Sequence, residues 1–178
     1  METQTAPTKI DWFDHVQIRP LKESDLPALE WNGEFAHFRR VYQNNFERIE
    51  MGEALAWIAE LPRVGVIGQV FIQLNCARPE LANGTTRAYF FSFRVRPAYR
   101  SQGVGTRMMH VFEEDLRQRG FTSLTLNVAK DNPEAIKLYQ RNGYRIVAHE
   151  PGKWSYPDDK GDWHQMIEPA WRMEKRLV

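Results

Sequence analysis

Two arginines and two glycines crowd the stretch "YRSQGVGTR", residues 99–107, with a further arginine at 96. Glycines at this density let the backbone curl without interference from Cβ, so successive N–H groups can converge on an anion. Arg100 adds full charge, and the amphipathic run that follows adds the positive end of a helix dipole. The chemistry on offer is the binding of a phosphate or pyrophosphate. Two common cradles do not fit. A P-loop needs Lys-Ser or Lys-Thr after its last glycine, but Gly105 is followed by Thr106 and Arg107. A dinucleotide-binding turn needs a third glycine where Met108 stands. What remains is Arg100-x-x-Gly103-x-Gly105 between a strand and a helix.

The elements around this turn can be read from periodicity. Val104, Met108, Val111, Phe112 and Leu116 mark a helix over 104–119, with Gly120 at its end. "TSLTLNV" alternates as a strand, placing Leu124, Leu126 and Val128 on one face and Thr125 and Asn127 on the other. Asn132 and Pro133 open a second helix as N-cap and first helical residue, and Gly143 closes it. Tyr139 lies on that helix in register with Ala135 and Ile136.

Upstream, "HVQIRPLKESDL" reads as a strand turning into a helix capped by Ser24 or Asp25. Apolar residues at three- and four-residue steps predict helix over 35–60, broken near Gly52. Val64–Val66 and Gln69–Leu74 read as a hairpin, and "RAYFFSFRVRP" as a strand. "YRIVAHE" and "AWRMEKRLV" read as closing strands separated by a polar loop. This order fits one mixed α/β domain over 1–178, with helices on both faces of a sheet and a polar arm over 1–13.

A length of 178 residues suits a single core. A formal net charge of +1 argues against a nucleic-acid binder relying on a broad basic field. The single cysteine, Cys76, excludes an internal disulfide framework and reads as a small core or strand residue. No apolar run reaches the roughly 20 residues of a membrane span, and the first residues do not read as a signal peptide. The expectation is a cytoplasmic protein with neither a nucleic-acid nor a membrane partner. The acidic cluster "PDDKGDWH" lacks the further His or Cys of a metal site, so no metal is expected.

The pair "VRPAYRSQGVG" and "NPEAIKLYQRNGY", at this separation, resembles the GNAT superfamily of acyl-CoA-dependent N-acetyltransferases. The likeness is carried by residues 87–147. It points toward the branch that acetylates ribosomal-protein N-termini and its small-molecule relatives. It implies a mostly antiparallel central sheet whose two central strands splay to form the acyl-CoA cleft. It also implies acetyl-CoA as co-substrate and direct transfer to a primary amine of a small molecule or peptide. By that match the backbone of Phe93, Arg94 and Val95 binds the pantetheine arm, and the Val95 N–H faces the thioester oxygen. Arg100, Ser101, Gln102, Gly103, Val104, Gly105 and Thr106 wrap the pyrophosphate. Asn132 contacts the pantetheine, and Tyr139 protonates the departing thiolate.

The general base stays unassigned. Relatives carry glutamate where this chain has Asn127, and others place a base at positions that here are Tyr89 and Phe91. By location, Glu34, His37 and His164 are further candidates. Aromatic residues early (Trp31, Phe35, Phe38, Tyr42) and late (Trp154, Tyr156, Trp163, Trp171) are expected to flank the acceptor mouth. Cys76 has no neighbouring motif for a covalent route. A non-catalytic acyl-CoA sensor on the same fold is the alternative reading, and a homodimer is left open.

Overall fold

The structure, a computed structural model, describes residues 12–178. The polar arm therefore lies outside the described residues except for Trp12 and Phe13, which are not arm-like. Trp12 meets Tyr99 edge-on with ring centroids 5.1 Å apart, and both residues pack against the larger core.

Seven strands form the central sheet: β1 (Gln17–Pro20), β2 (Ala54–Leu61), β3 (Gly65–Gln73), β4 (Arg87–Val95), β5 (Ser123–Ala129), β6 (Arg145–Glu150) and, later in the chain, β9 (Ala170–Arg176). Their spatial order is β1-β2-β3-β4-β5-β9-β6, antiparallel throughout except between β4 and β5. A separate hairpin, β7 (Lys153–Pro157) with β8 (Trp163–Ile167), stands where the sequence suggested only a polar loop.

Helices cover both faces, as the apolar stripes require. On one face α2 (Val104–Gln118) and α3 (Pro133–Arg141) bring Met108, Phe112, Leu116 and Tyr139 onto Ile72, Phe90, Leu124 and Leu126. Each large side chain fully buried there contributes about 2–3 kcal/mol. On the other face α1 (Arg39–Glu50) and a 3₁₀ segment (Glu23–Gly33) pack Leu29, Tyr42 and Phe46 onto Ile58 and Phe71. The 3₁₀ segment stands in place of the expected regular helix: it contains Pro27, and Trp31 and Asn32 adopt positive φ. Asp25 secures its start by accepting the Lys22 N–H at 2.7 Å.

Two strand assignments need correction. Residues 54–61, expected as helix, are β2. Leu55, Trp57, Ala59 and Leu61 pack into the larger core and Ala56 and Ile58 into the smaller one, so both faces of the strand are apolar. Val64–Leu74 is not a hairpin of its own, because β3 runs unbroken and hairpins instead with β2. Cys76 lies half-buried in the loop between β3 and β4, and its thiol donates to the Arg78 carbonyl at 3.1 Å.

Candidate active site

The site begins with a defect in β4. The register shifts between Gln69↔Arg94 and Phe71↔Phe91, so β4 carries one extra residue, and Ser92 adopts φ +49°. A bulge of this kind bends its strand. The neighbour on the other side shows the result: β4 and β5 pair only at Arg87↔Ser123, Ala88↔Leu124 and Tyr89↔Thr125. From Phe90 and Leu126 onward the two strands part, and the middle of the sheet forks.

Ladder geometry fixes what β4 offers to the fork. The Arg96 N–H donates to the Ile67 carbonyl at 2.7 Å. Hydrogen-bonded and non-bonded pairs alternate along an antiparallel ladder, so Val95, opposite Gly68, points its N–H and C=O away from β3. The Val95 carbonyl accepts from Arg100 Nε at 2.7 Å. The side chain of Phe93 packs edge-on against Phe112 on the α2 face. Arg94 points to the opposite face, donating to the Tyr42 hydroxyl at 3.0 Å with its guanidinium 4.3 Å above Phe35.

Past the fork the chain makes a 3₁₀ turn at Pro97–Tyr99 and then enters α2 through Ser101 and Gly103, with φ +60° and +98°. Gly103 is the N-cap and supplies no side-chain acceptor. The first-turn N–H groups of Val104, Gly105 and Thr106 are thus uncapped by any side chain, at the positive end of a 15-residue helix. Arg100 pairs with no carboxylate among the described residues, and Gln102 turns back to the Ala98 carbonyl at 3.3 Å. At Gly105 an added Cβ would meet only Phe93 and Leu138, at 3.6 and 3.9 Å.

The two helices and the strands bring Tyr139 to the same place. Asn132 caps α3 by accepting the Ala135 N–H at 3.2 Å. Tyr139, nearly two turns further on, is buried edge-on against Phe90 and Tyr144. Its hydroxyl has no hydrogen-bond partner among the described residues. Burial raises its pKa well above that of an ordinary phenol, and the charge of Tyr89 would raise it further. Tyr89 stands at the last paired position of the fork. Burial pushes its hydroxyl up to about 12, with Arg78 and the Asn127 amide acting the other way.

On the face opposite α2 and α3 a cavity of about 620 Å³ opens beside the fork. Tyr89, Asn127 and Ala129 form its inner wall, Arg78 and Leu81 one side, and Glu150 with the start of β7 the other. Thr125 holds the 74–86 loop over this face by donating to the Leu81 carbonyl at 2.8 Å. Asn127 Oδ1 is buried and has no hydrogen-bond partner.

Neither Glu34, His37 nor His164 lines this cavity. His164 instead contacts Asp158 at 2.7 Å, and Asp158 also accepts the Lys160 and Asp162 N–H groups of the β7–β8 turn. Some of the early and late aromatics do meet: Phe38 lies 4.9 Å from Tyr156 and 6.3 Å from Trp154. Trp163 is exposed, and Trp171 lies under Lys130. Arg78, Glu150, Lys153 and Glu168 line the cavity without having been singled out in the sequence. They come from three separate stretches of the chain, and only their flanking strands could have pointed to them.

A sheet forked at a bulge, with an uncapped helix N-terminus at the end of one prong, is the framework of an acyl-CoA cleft. The chain belongs to the acetyltransferase (GNAT) family, whose sequence pattern matches residues 13–144. It is 25% identical over 114 residues to N-alpha-acetyltransferase 50 of Danio rerio, a match covering 64% of this chain and 62% of that protein, less than two thirds of the relative's length. Its fold is similar to that of the ribosomal-protein-S18-alanine N-acetyltransferase from Escherichia coli, with a TM-score of 0.67, 21% identity and 92% and 94% of the two chains covered. It is likewise similar to Arabidopsis thaliana NAA60 in complex with acetyl-CoA, with a TM-score of 0.68, 20% identity and 90% and 98% covered.

Proposed function

We propose that this chain is an acetyl-CoA-dependent N-acetyltransferase that transfers its acyl group directly to a primary amine of a small molecule or peptide N-terminus. The observation that carries the reading is the three-pair seam between β4 and β5, with the uncapped start of α2 beyond it. The residues present suit the co-substrate. Val104, Gly105 and Thr106 direct free N–H groups toward a pyrophosphate, with Arg100 alongside and Ser101, Gln102 and Gly103 forming the turn. No side chain at Gly105 obstructs that approach. The segment 93–95 forms an open strand edge for the amides of the pantetheine arm, with Phe93 and Val95 turning backbone groups outward while Arg94 stays in the ladder with β3, and Asn132 borders the same groove.

Bound acetyl-CoA supplies an activated acyl carbon. Val95 directs its N–H into the fork, where it stabilises negative charge developing on the thioester oxygen. Tyr139 donates a hydrogen bond to the departing sulfur. Burial favours its protonated form, so the hydroxyl is present as a donor when negative charge develops on the sulfur. Charge stabilisation by a fixed donor is what such a hydroxyl can deliver.

Calorimetric titration with acetyl-CoA, CoA and ATP tests the reading. Saturable binding of the first two and much weaker binding of ATP supports it, followed by thiol release when amines are added. Failure of acetyl-CoA to bind overturns it.

A further inference from the structure

The wall where an acceptor would meet the fork carries an unusual set of groups. At its inner end stand Tyr89 and Asn127, and the latter's Oδ1 is a buried acceptor without a donor. Leaving a buried carbonyl oxygen unsatisfied costs on the order of 1–3 kcal/mol, so the position is one that a ligand donor would relieve. Among the remaining charged groups of the cavity, Glu150 is held through one carboxylate oxygen between two arginines, and Glu168 and Lys153 stand at the rim. Glu150 Oε1 accepts from Arg78 at 2.7 Å and from Arg172 at 3.1 Å. Glu168 Oε2 accepts the Trp154 indole N–H at 3.3 Å, and both Glu168 and Lys153 are exposed at the outer rim. Cys76 and Tyr139 complete the titratable groups near Tyr89. No histidine lines the cavity.

We propose that Asn127 Oδ1 receives an N–H of the attacking amine and aims its lone pair across the fork, so that the enzyme acts on amines of low basicity that arrive already neutral. This rests on the acetyltransferase reading above. An amide oxygen can orient a neutral amine but cannot take up the proton of an ammonium ion. Tyr89, pushed up to about 12, is almost wholly protonated at neutral pH and cannot take it either. In the transfer itself the amine nitrogen forms a bond to the acyl carbon as the C–S bond breaks. The C–S electron pair leaves with sulfur, and the proton shed by nitrogen passes to solvent or to the released thiolate. Asn127 holds the nitrogen throughout and is neither protonated nor deprotonated. At pH 7.4 an α-amino group is neutral about 280 times more often than an alkylammonium like that of lysine, given pKa values of roughly 7.8 and 10.4.

The test is the pH dependence of kcat/KM, read by thiol release with a series of amines spanning pKa values from about 5 to 10. The expected result is a profile that rises with pH and levels off at each amine's own pKa. Asn127→Ala should lower kcat/KM about tenfold through KM, the loss of one hydrogen bond of roughly 1.4 kcal/mol. The acetyl-CoA Kd and the Tm should stay where they were. A rising limb at one fixed pH for all amines would overturn the proposal, because it would reveal a titrating base on the enzyme. Unchanged kinetics in Asn127→Ala, or no turnover of any amine by a protein that binds acetyl-CoA, would overturn it too. Acetyl-CoA binding is measured first, so loss of the acetyltransferase reading itself is seen separately.

Discussion

Replacing Tyr139 by phenylalanine isolates the hydroxyl from the ring. The ring packs edge-on against Phe90 and Tyr144 at centroid distances of 5.8 and 6.0 Å, contacts that phenylalanine keeps. The hydroxyl has no partner among the described residues, so its removal breaks no internal hydrogen bond. The Tm should therefore hold or rise slightly. If the hydroxyl donates to a departing thiolate, the loss is that of a hydrogen bond to a charged group, about 1.5–3 kcal/mol. That converts to a fall in kcat of roughly 10- to 150-fold, with acetyl-CoA affinity nearly unchanged. Thermal denaturation, calorimetric titration and single-turnover thiol release together measure all three quantities. An unchanged kcat would refute a role at the leaving group and favour a sensor on this fold. A Tm lowered by several degrees would show that the hydroxyl serves packing instead.

Four further outcomes follow from the packing and electrostatics. Gly105→Ala should fold normally, since the new Cβ meets nothing closer than 3.6 Å, yet weaken CoA binding at least tenfold in calorimetry. Gly103→Ala forces φ +98° on a residue with a side chain and should cost about 1 kcal/mol, a Tm drop of roughly 2–4 °C. Glu113, buried between the Tyr144 hydroxyl (2.9 Å) and Lys175 Nζ (2.7 Å), anchors α2 to β9, and Glu113→Gln should lower stability by about 3 kcal/mol in urea denaturation. Asp25 is held below the usual carboxylate range by hydrogen bonds from Arg19, with burial opposing. Its stabilisation is complete above the unfolded pKa near 4 and lost as pH falls through the lower folded value. Asp25→Asn should thus be less stable than wild type at pH 7, and the gap should close below pH 4 in parallel urea titrations.

Legibility in the sequence followed the number of faces each element buries. Helices α2 and α3 bury one stripe each and were readable from spacing alone, as was β5, whose Leu124, Leu126 and Val128 share the buried side. Strand β2 buries both faces, so its apolar residues carry no period of two, and Leu55 and Ile58 happen to sit at a helical step. The β7–β8 hairpin was hidden for the opposite reason. Most of its side chains are exposed, and only the Asp158 turn marked it. The turn before α2 was legible because glycine and arginine announce themselves locally. The cavity beside the fork was not, because Arg78, Asn127, Glu150 and Glu168 meet only through strand order. The positions where relatives place a base carry Tyr89, Phe91 and Asn127, and the carboxylates that line the cavity, Glu150 and Glu168, come from other strands and loops.

The fork also bears on how the protein behaves in solution. A sheet normally has two edges, and this one has four, the extra pair being the inner sides of β4 and β5 past Tyr89 and Thr125. Unpaired strand edges are templates on which other chains can add, a recognised route to aggregation. On the acetyltransferase reading proposed above, the co-substrate would cap the interior pair. Occupancy of the cleft should then govern colloidal stability as well as catalysis, and at 100 times Kd it adds about 2.7 kcal/mol to folding. The ligand-free chain then carries an aggregation hazard at its centre, and on the same reading the co-substrate would be the missing strand that closes it.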